Sequence, residues 1–577
     1  MKIFNINSSK KFKLIAIGIG LSIALFSCNE YLDVDTDKDN PEKAPLKLLL
    51  SGILVDVNAA TDFQFYTGDI LQVYTHQMVV REEQDQYGTK VDNILMQNEW
   101  DNIYLTINNI ESLIKQGTES GDMVYVGIGQ MMKAYLMSIS VDLWGDVPYS
   151  EISQLGNGII SPAFDNQQEI YTAIFGLIDQ AKANIDSNEG VLKPGTDDLF
   201  YKGDLAKWIR FANTFKLKLY NQTRLVSAFD QAGFAALIAE NNFFTSIDDD
   251  FQFLQTRNQS PSDERNRFFL TSYNSTQFST YMSPWFYEIL KGMNPKIHTG
   301  NEDPRIPYYF FKQLVPDQFP PDQGDTSTGD PNADYWDAST GFFSIRFGSV
   351  GPDRDWSAEN SYTYPGIFPT GGRYDDGQGG KVNDMMANLD SAPTPPTGIA
   401  PHRMLTYDEF LYIQAELMHA GLLSGDAGAK LQEAMTASFA KVDQVVRQNN
   451  APQAVPVLSG TTAVNTFMAN IAAEYNTASS DKKLEIIITQ KWVATFGDPF
   501  DQYNDYRRTG YPVLANPNSS EREYQLNNND GFPLNDAHTV LNNQYQVSLF
   551  WPQSELNSNQ NAPAQKNPTT YKIFWDN

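Results

Sequence analysis

Asp142-Leu143-Trp144-Gly145-Asp146-Val147-Pro148-Tyr149-Ser150-Glu151 is the stretch that decides the fold. It ends a helix: Gly145 permits a left-handed turn, and Pro148, with no N–H and a fixed φ, forbids another helical turn. Upstream, from about Asp122 to Leu143, Met131, Met132, Tyr135, Leu136 and Ile139 mark one inward helical face. Before that, Trp100, Ile103, Tyr104, Ile107, Ile110, Leu113 and Ile114 recur at the same spacing, and Gly117 stands where a C-terminal cap belongs. Two such helices make an αα-hairpin over about residues 98–142.

Three more pairs follow. Over about 166–225, Ile170, Ile174, Leu177, Ile178, Ala181 and Ile185 face Leu205, Trp208, Ile209, Ala212, Phe215 and Leu219. Over about 406–447, Thr406-Tyr407-Asp408-Glu409 reads as a capping box opening a helix that ends near Gly421, and the partner helix from Asp426 buries Leu431, Ala434, Met435, Phe439 and Val442. The last pair lies in 462–496. A hairpin cannot bury its apolar face alone, so about four of them predict a mostly α, tetratricopeptide-like stack. Helical periodicity lapses over about 243–400, where Gly, Pro, Asp and aromatic residues dominate; so long an irregular segment points to function. Gly497 to Asn577 also reads as loop-rich.

The N-terminal end reads differently. Lys2, Lys10, Lys11 and Lys13 precede an apolar run from Leu14 to Phe26, and no acid occurs before Glu30. This is the pattern of a secretory signal peptide, residues 1–27, and the run is shorter than the ~20 residues of a spanning helix. Cys28 follows at once and is the only cysteine in 577 residues, so no intrachain disulfide exists. It is the expected lipidation site, with 28–45 an acidic tether and 46–577 a single body. Asp33, Asp35, Asp37 and Asp39 alternate like a calcium loop, but Lys38 and Ala44 stand where Gly and Glu are needed.

Composition narrows the partners. Four of the 42 bases precede Cys28 and none of the 70 acids does, so from Cys28 onward 38 bases face 70 acids, a net −32. Such a charge argues against nucleic acid, anionic lipid surfaces and strongly anionic polysaccharides.

Several motifs, in order, resemble those of the SusD/RagB nutrient-binding outer-membrane lipoproteins. They are the stretch ending in Trp144-Gly145-Asp146-Val147-Pro148-Tyr149, then Asp303-Pro304-Arg305-Ile306-Pro307-Tyr308-Tyr309, then Phe368-Pro369-Thr370-Gly371-Gly372-Arg373-Tyr374-Asp375. Gln414-Ala415-Glu416-Leu417, Gln490-Lys491-Trp492, Asp505-Tyr506-Arg507-Arg508-Thr509-Gly510-Tyr511-Pro512 and Pro552-Gln553-Ser554-Glu555 complete the set. The double arginine resembles the SusD-like 2 subgroup. The resemblance implies a right-handed tetratricopeptide-like superhelix with an irregular region packed on it. It also implies a lid on a TonB-dependent, SusC-like outer-membrane barrel, and an oligosaccharide or, in the RagB branch, a peptide as ligand. The motifs themselves read as scaffold, with Asp142, Asp146, Arg507 and Arg508 available to pair in a turn network.

Catalytic and metal signatures do not emerge. The five histidines form no HExxH, there is no cysteine pair for zinc, and no Gly-x-Ser-x-Gly elbow occurs. Gly379-Gly380-Lys381-Val382 fails as a phosphate loop because residue 382 is not Ser or Thr. No cofactor is implied. A surface-anchored hydrolase of the same polymers and a purely protein-binding adaptor remain the alternatives. A sugar site needs exposed aromatic faces for ring stacking and short polar side chains for hydroxyls. Two regions qualify: the Arg81–Asp92 loop with Gln84, Asp85 and Tyr87, and the aromatic middle with Tyr335, Trp336, Phe342 and Trp356.

Overall fold

The computed structural model describes residues 44–80, 86–274, 280–321, 334–348, 360–387, 395–526 and 541–576. Helices dominate, and the β-structure among the described residues is a set of two-stranded antiparallel pairs with an isolated parallel bridge between Gly366 and Arg373. The mostly α expectation holds. Cys28 and the leader lie outside the described residues, and among the described residues no helix is long and apolar enough to cross a membrane.

The helices stack on one another largely in chain order. Ile94–Ser120 packs on Met123–Trp144, which packs on Gln167–Ser187, which packs on Leu205–Thr223. That last helix touches Tyr407–His419, so the stack continues across the long irregular insertion. Tyr407–His419 then pairs with Ala427–Asn449, and Thr462–Thr477 with Ser480–Ala494. Met123–Trp144 lies at the centre and is buried almost all round, so its apolar residues outnumber one stripe. Gly127 permits its close approach to the next helix: a Cβ there would sit 2.6 Å from the Ile185 side chain and 2.8 Å from the Ala181 carbonyl.

Local signals were mostly where the pattern put them, with instructive shifts. The first helix runs on past Gly117 and is capped by Gly121, which has φ +76°. Gly117 stays helical because it faces Val126 of the next helix at close range. Gly145 does end its helix with positive φ, +76°, and a Cβ there would strike the Tyr571 ring at 2.5 Å. Thr406 is an N-cap, but its side chain accepts no capping hydrogen bond, so the capping box is not formed. Pro499–Thr509, within the stretch read as loop-rich, is a helix capped by Asp498.

The turn network around Asp142 also differs from the expected pairing. Asp142 accepts from the Tyr171 hydroxyl (2.5 Å), Trp575 Nε1 (2.9 Å) and Asn504 Nδ2 (2.7 Å). Arg507 reaches it through Asn504, while its guanidinium lies over the Tyr503 and Trp575 rings at 3.8 and 4.7 Å. Burial raises the Asp142 carboxyl to about 6 against these hydrogen bonds. Asp146 instead caps the Gln167 N–H (2.9 Å). These motif residues hold the C-terminal tail against the helical stack.

Candidate functional site

The structure places a cleft beside residues 86–92, the described part of the Arg81–Asp92 loop. Its floor is the strand pair Met78–Val80 and Thr280–Met282, with Val80 opposite Thr280. One wall is the Gly68–Tyr74 helix, and the other is the chain from Gly88 to Asn93 leading into the Ile94–Ser120 helix. Asp69, Ile70, Val73, Tyr74, Val80, Gln86, Lys90, Asp92, Asn93 and Thr280 are among the residues lining about 250 Å³ of space. Ligand pockets run from roughly 300 Å³ upward, so this cleft suits a small portion of a ligand that continues outward.

The described part of the loop, residues 86–92, is tied down by hydrogen bonds. The Val80 N–H donates to Gln86 Oε1 (3.0 Å), and the Tyr74 hydroxyl donates to Thr89 Oγ1 (2.9 Å). Gln546 Nε2 donates to the carbonyls of Tyr87 (3.2 Å) and Thr89 (2.9 Å). Asn93 caps the following helix, its side-chain oxygen accepting from the N–H groups of Leu95 (2.9 Å) and Met96 (3.3 Å). Residues fixed in this way, from Gln86 to Asn93, present their polar groups with little ordering penalty on binding.

Behind the lining residues Asp69 and Thr280 runs a row of hydrogen-bonding groups. Gln64 Nε2 donates to Gln72 Oε1 (2.5 Å) and to Thr280 Oγ1 (2.8 Å), and Gln72 Nε2 donates to Asp69 Oδ1 (3.1 Å). Burial pushes the Asp69 carboxyl up to about 7; the neighbouring Asp62 adds to this, and Arg267 opposes it. Near neutrality that carboxyl is shared between an acid that donates and a carboxylate that accepts. Both forms suit a hydroxyl, which can do either.

The sequence-predicted site residues fare differently. Tyr87 belongs to this loop but is only 5 % exposed: its hydroxyl meets His76 Nε2 at 2.6 Å, and its ring packs on Tyr74 and Tyr545. It anchors the loop from beneath. The expectation of exposed stacking faces is corrected for Tyr335, Trp336 and Phe342 as well, which are buried. Asp334–Asp337 pairs antiparallel with Phe342–Ile345, and Tyr335 to Asp337 and Phe342 to Ile345 are all buried. The Tyr335 hydroxyl donates to Glu288 Oε1 (2.9 Å), Phe342 stacks on Tyr287 at 3.9 Å, and Trp336 meets Phe319 edge-on at 5.2 Å. Gln84, Asp85 and Trp356 lie outside the described residues. Asp69 and Thr280 were missed: they come from segments far apart in sequence, and no local pattern joins them.

With this geometry in view, the family match is informative. The model for the SusD-like 2 family, described as starch-binding and associating with the outer membrane, matches residues 39–329 and 354–533. The chain belongs to the SusD-like 2 family. As a SusD-like protein it is of a group described as outer-membrane associated, and solved structures share its fold. A SusD homologue from Bacteroides fragilis is 16% identical with a TM-score of 0.63, over 92% of this chain and 99% of that one. A SusD/RagB family protein from Bacteroides thetaiotaomicron is 20% identical with a TM-score of 0.63, over 92% and 99%. A chitin-binding SusD homologue from Flavobacterium johnsoniae is 19% identical with a TM-score of 0.58, over 91% and 98%. No curated protein matches the chain.

Proposed function

We propose that this SusD-like protein is a lipid-anchored cell-surface protein that binds a neutral glycan in the Asp69–Asn93 cleft and passes it to a SusC-like, TonB-dependent outer-membrane barrel. The observation that carries the reading is the family match along most of the chain, since that family is described as starch-binding and associating with the outer membrane. The chitin-binding activity named for a relative of the same fold supports a glycan rather than a peptide. Cys28 directly after the apolar leader supplies the anchor; more than one acyl chain is needed for stable attachment, and a single chain is marginal.

The cleft supports the same ligand class. Its walls carry amides, a hydroxyl, an acid near neutrality and the paired signs of Lys90 and Asp92, all suited to an uncharged, hydroxyl-rich molecule. The formal net charge of −28 works against a polyanion. Calorimetric titration with neutral oligosaccharides tests binding, and isolation from membranes tests the partner. Binding without change of the ligand, together with a co-purifying barrel, is expected. Release of new reducing ends would instead establish the hydrolase, and a protein partner with no saccharide binding would establish the adaptor.

A further inference from the structure

A second cavity lies toward the other end of the Ser480–Ala494 helix. The C-terminal end of that helix supports the first cleft: Trp492 Nε1 donates to the Thr75 carbonyl (3.0 Å), and the Trp492 carbonyl accepts from Gln77 Nε2 (2.8 Å). Toward its N-terminal end, Lys482, Glu485 and Thr489 share one face and line a cavity of about 330 Å³. The facing wall carries Tyr511 and Tyr524. The volume lies within the range of ligand pockets, and none of the lining residues is shared with the first cleft.

The cavity is built from pinned segments. Asn294 Nδ2 donates to the Glu523 carbonyl (3.1 Å), and Asn294 Oδ1 accepts from the Lys296 N–H (2.9 Å). Trp285 Nε1 donates to the Val513 carbonyl (3.1 Å), which holds the Tyr511 segment in place.

Two features point to the chemistry of an occupant. Thr489 is 1% exposed, and its hydroxyl has no hydrogen-bond partner in the protein. A buried hydroxyl is normally paired, so an orphan on a cavity wall marks a place for a polar ligand atom. The charges around it are matched: Lys482 pairs with Glu485 at 2.7 Å, and Lys296 with Glu523 at 3.7 Å. A cavity whose ions neutralise one another favours an uncharged guest. Burial, and then the Glu485 carboxylate, raise the Tyr511 phenol, which like any tyrosine near neutral pH is a hydrogen-bond donor.

We propose that this cavity is a second saccharide site, taking one uncharged sugar residue against Tyr511 and Tyr524 with a hydroxyl on Thr489. It shares its ligand class with the function proposed above, but it shares no residue with that cleft. The test is calorimetry on the lipid-free chain carrying Lys90→Ala and Asp92→Ala, titrated with maltose, cellobiose and N,N′-diacetylchitobiose.

On that background at least one disaccharide should still bind, at one site per chain. Thr489→Val, which keeps the side-chain shape, and Tyr524→Ala, on a half-buried surface turn, should each weaken it tenfold or more. The proposal is overturned if none of the three disaccharides binds that background, or if both further variants titrate like their parent. If the Lys90/Asp92 changes leave all binding intact while Tyr524→Ala removes it, the first cleft fails and this site stands. Should a variant not fold, a crystal of the unaltered chain soaked in the same disaccharides decides. Sugar density against Tyr524 supports the site, and density confined to other places overturns it.

Discussion

Arg508 and Glu416 form a buried, two-pronged ion pair that ties the Pro499–Thr509 helix to Tyr407–His419. Arg508 Nη2 meets Glu416 Oε2 at 3.0 Å and Nη1 meets Oε1, with both side chains almost wholly excluded from solvent. Glu416 also takes Arg224 Nη2 (2.6 Å) and Asn221 Nδ2 (2.8 Å), and Asp505 takes Arg508 Nη2 (2.7 Å). One carboxylate thus joins three helices, and the arginines beside it hold it well below the ordinary glutamate range against the opposing effect of burial.

Glu416→Gln leaves Arg508 with Asp505 alone and Arg224 without a carboxylate. Removing one member of a buried pair costs roughly 3–5 kcal/mol, because the remaining charge stays in a dry site. Denaturant unfolding should show a loss of that size. Arg508→Lys, which keeps the charge and loses the fork, should also destabilise the protein, since the bidentate geometry is specific to guanidinium.

The C-terminal tail is tested at Trp575. Trp575→Phe keeps a ring under Arg507 but removes the donor to Asp142, and hydrogen bonds to charged groups contribute about 1.5–3 kcal/mol. Trp575→Ala adds a cavity and should cost about 3–5 kcal/mol. Equal losses for the two variants would mean that the ring contributes nothing.

Glu99 makes stability depend on pH. It is fully buried, accepts from the Thr67 N–H (3.3 Å) and hydroxyl (3.0 Å), and burial raises its carboxyl from 4.5 to about 8 against those bonds. The folded state therefore holds the proton more tightly than the unfolded one. The contribution is fully present below pH 4.5 and is lost as pH rises toward about 8. Glu99→Gln should flatten the fall in melting temperature across that window; an unchanged slope would remove Glu99 as its source.

Trp336 separates core from site. It is 8% exposed and packed on Phe319, so Trp336→Ala should lower stability by about 3–5 kcal/mol, read by denaturant midpoint. A variant of unchanged stability that loses ligand binding would restore it as a contact residue.

The helical hairpins were legible because long helices with one apolar face repeat every three or four residues. Pro499–Thr509 was not, because Asp501, Asp505, Arg507 and Arg508 look like surface residues in sequence and yet are buried by pairing and hydrogen bonding. The motifs containing Glu416 and Arg508 were both noticed, but only the fold shows that they are two halves of one contact. At the site, the loop was visible as a polar interruption between apolar helices. Its aromatic neighbours misled: an irregular region without long helices needs large side chains for its core, and Tyr335, Trp336 and Phe342 supply them.

The most direct test of the central claim is a thermal-shift series on the lipid-free chain from Glu30, with neutral oligosaccharides, charged oligosaccharides and short peptides. A neutral oligosaccharide at 100 times its Kd should stabilise the protein by about 2.7 kcal/mol. Lys90→Ala with Asp92→Ala should shrink that shift while leaving the unliganded melting temperature in place, because both side chains are exposed on the rim. Stabilisation by peptides alone, or a double variant that responds to every sugar as the parent does, would contradict a glycan site in this cleft.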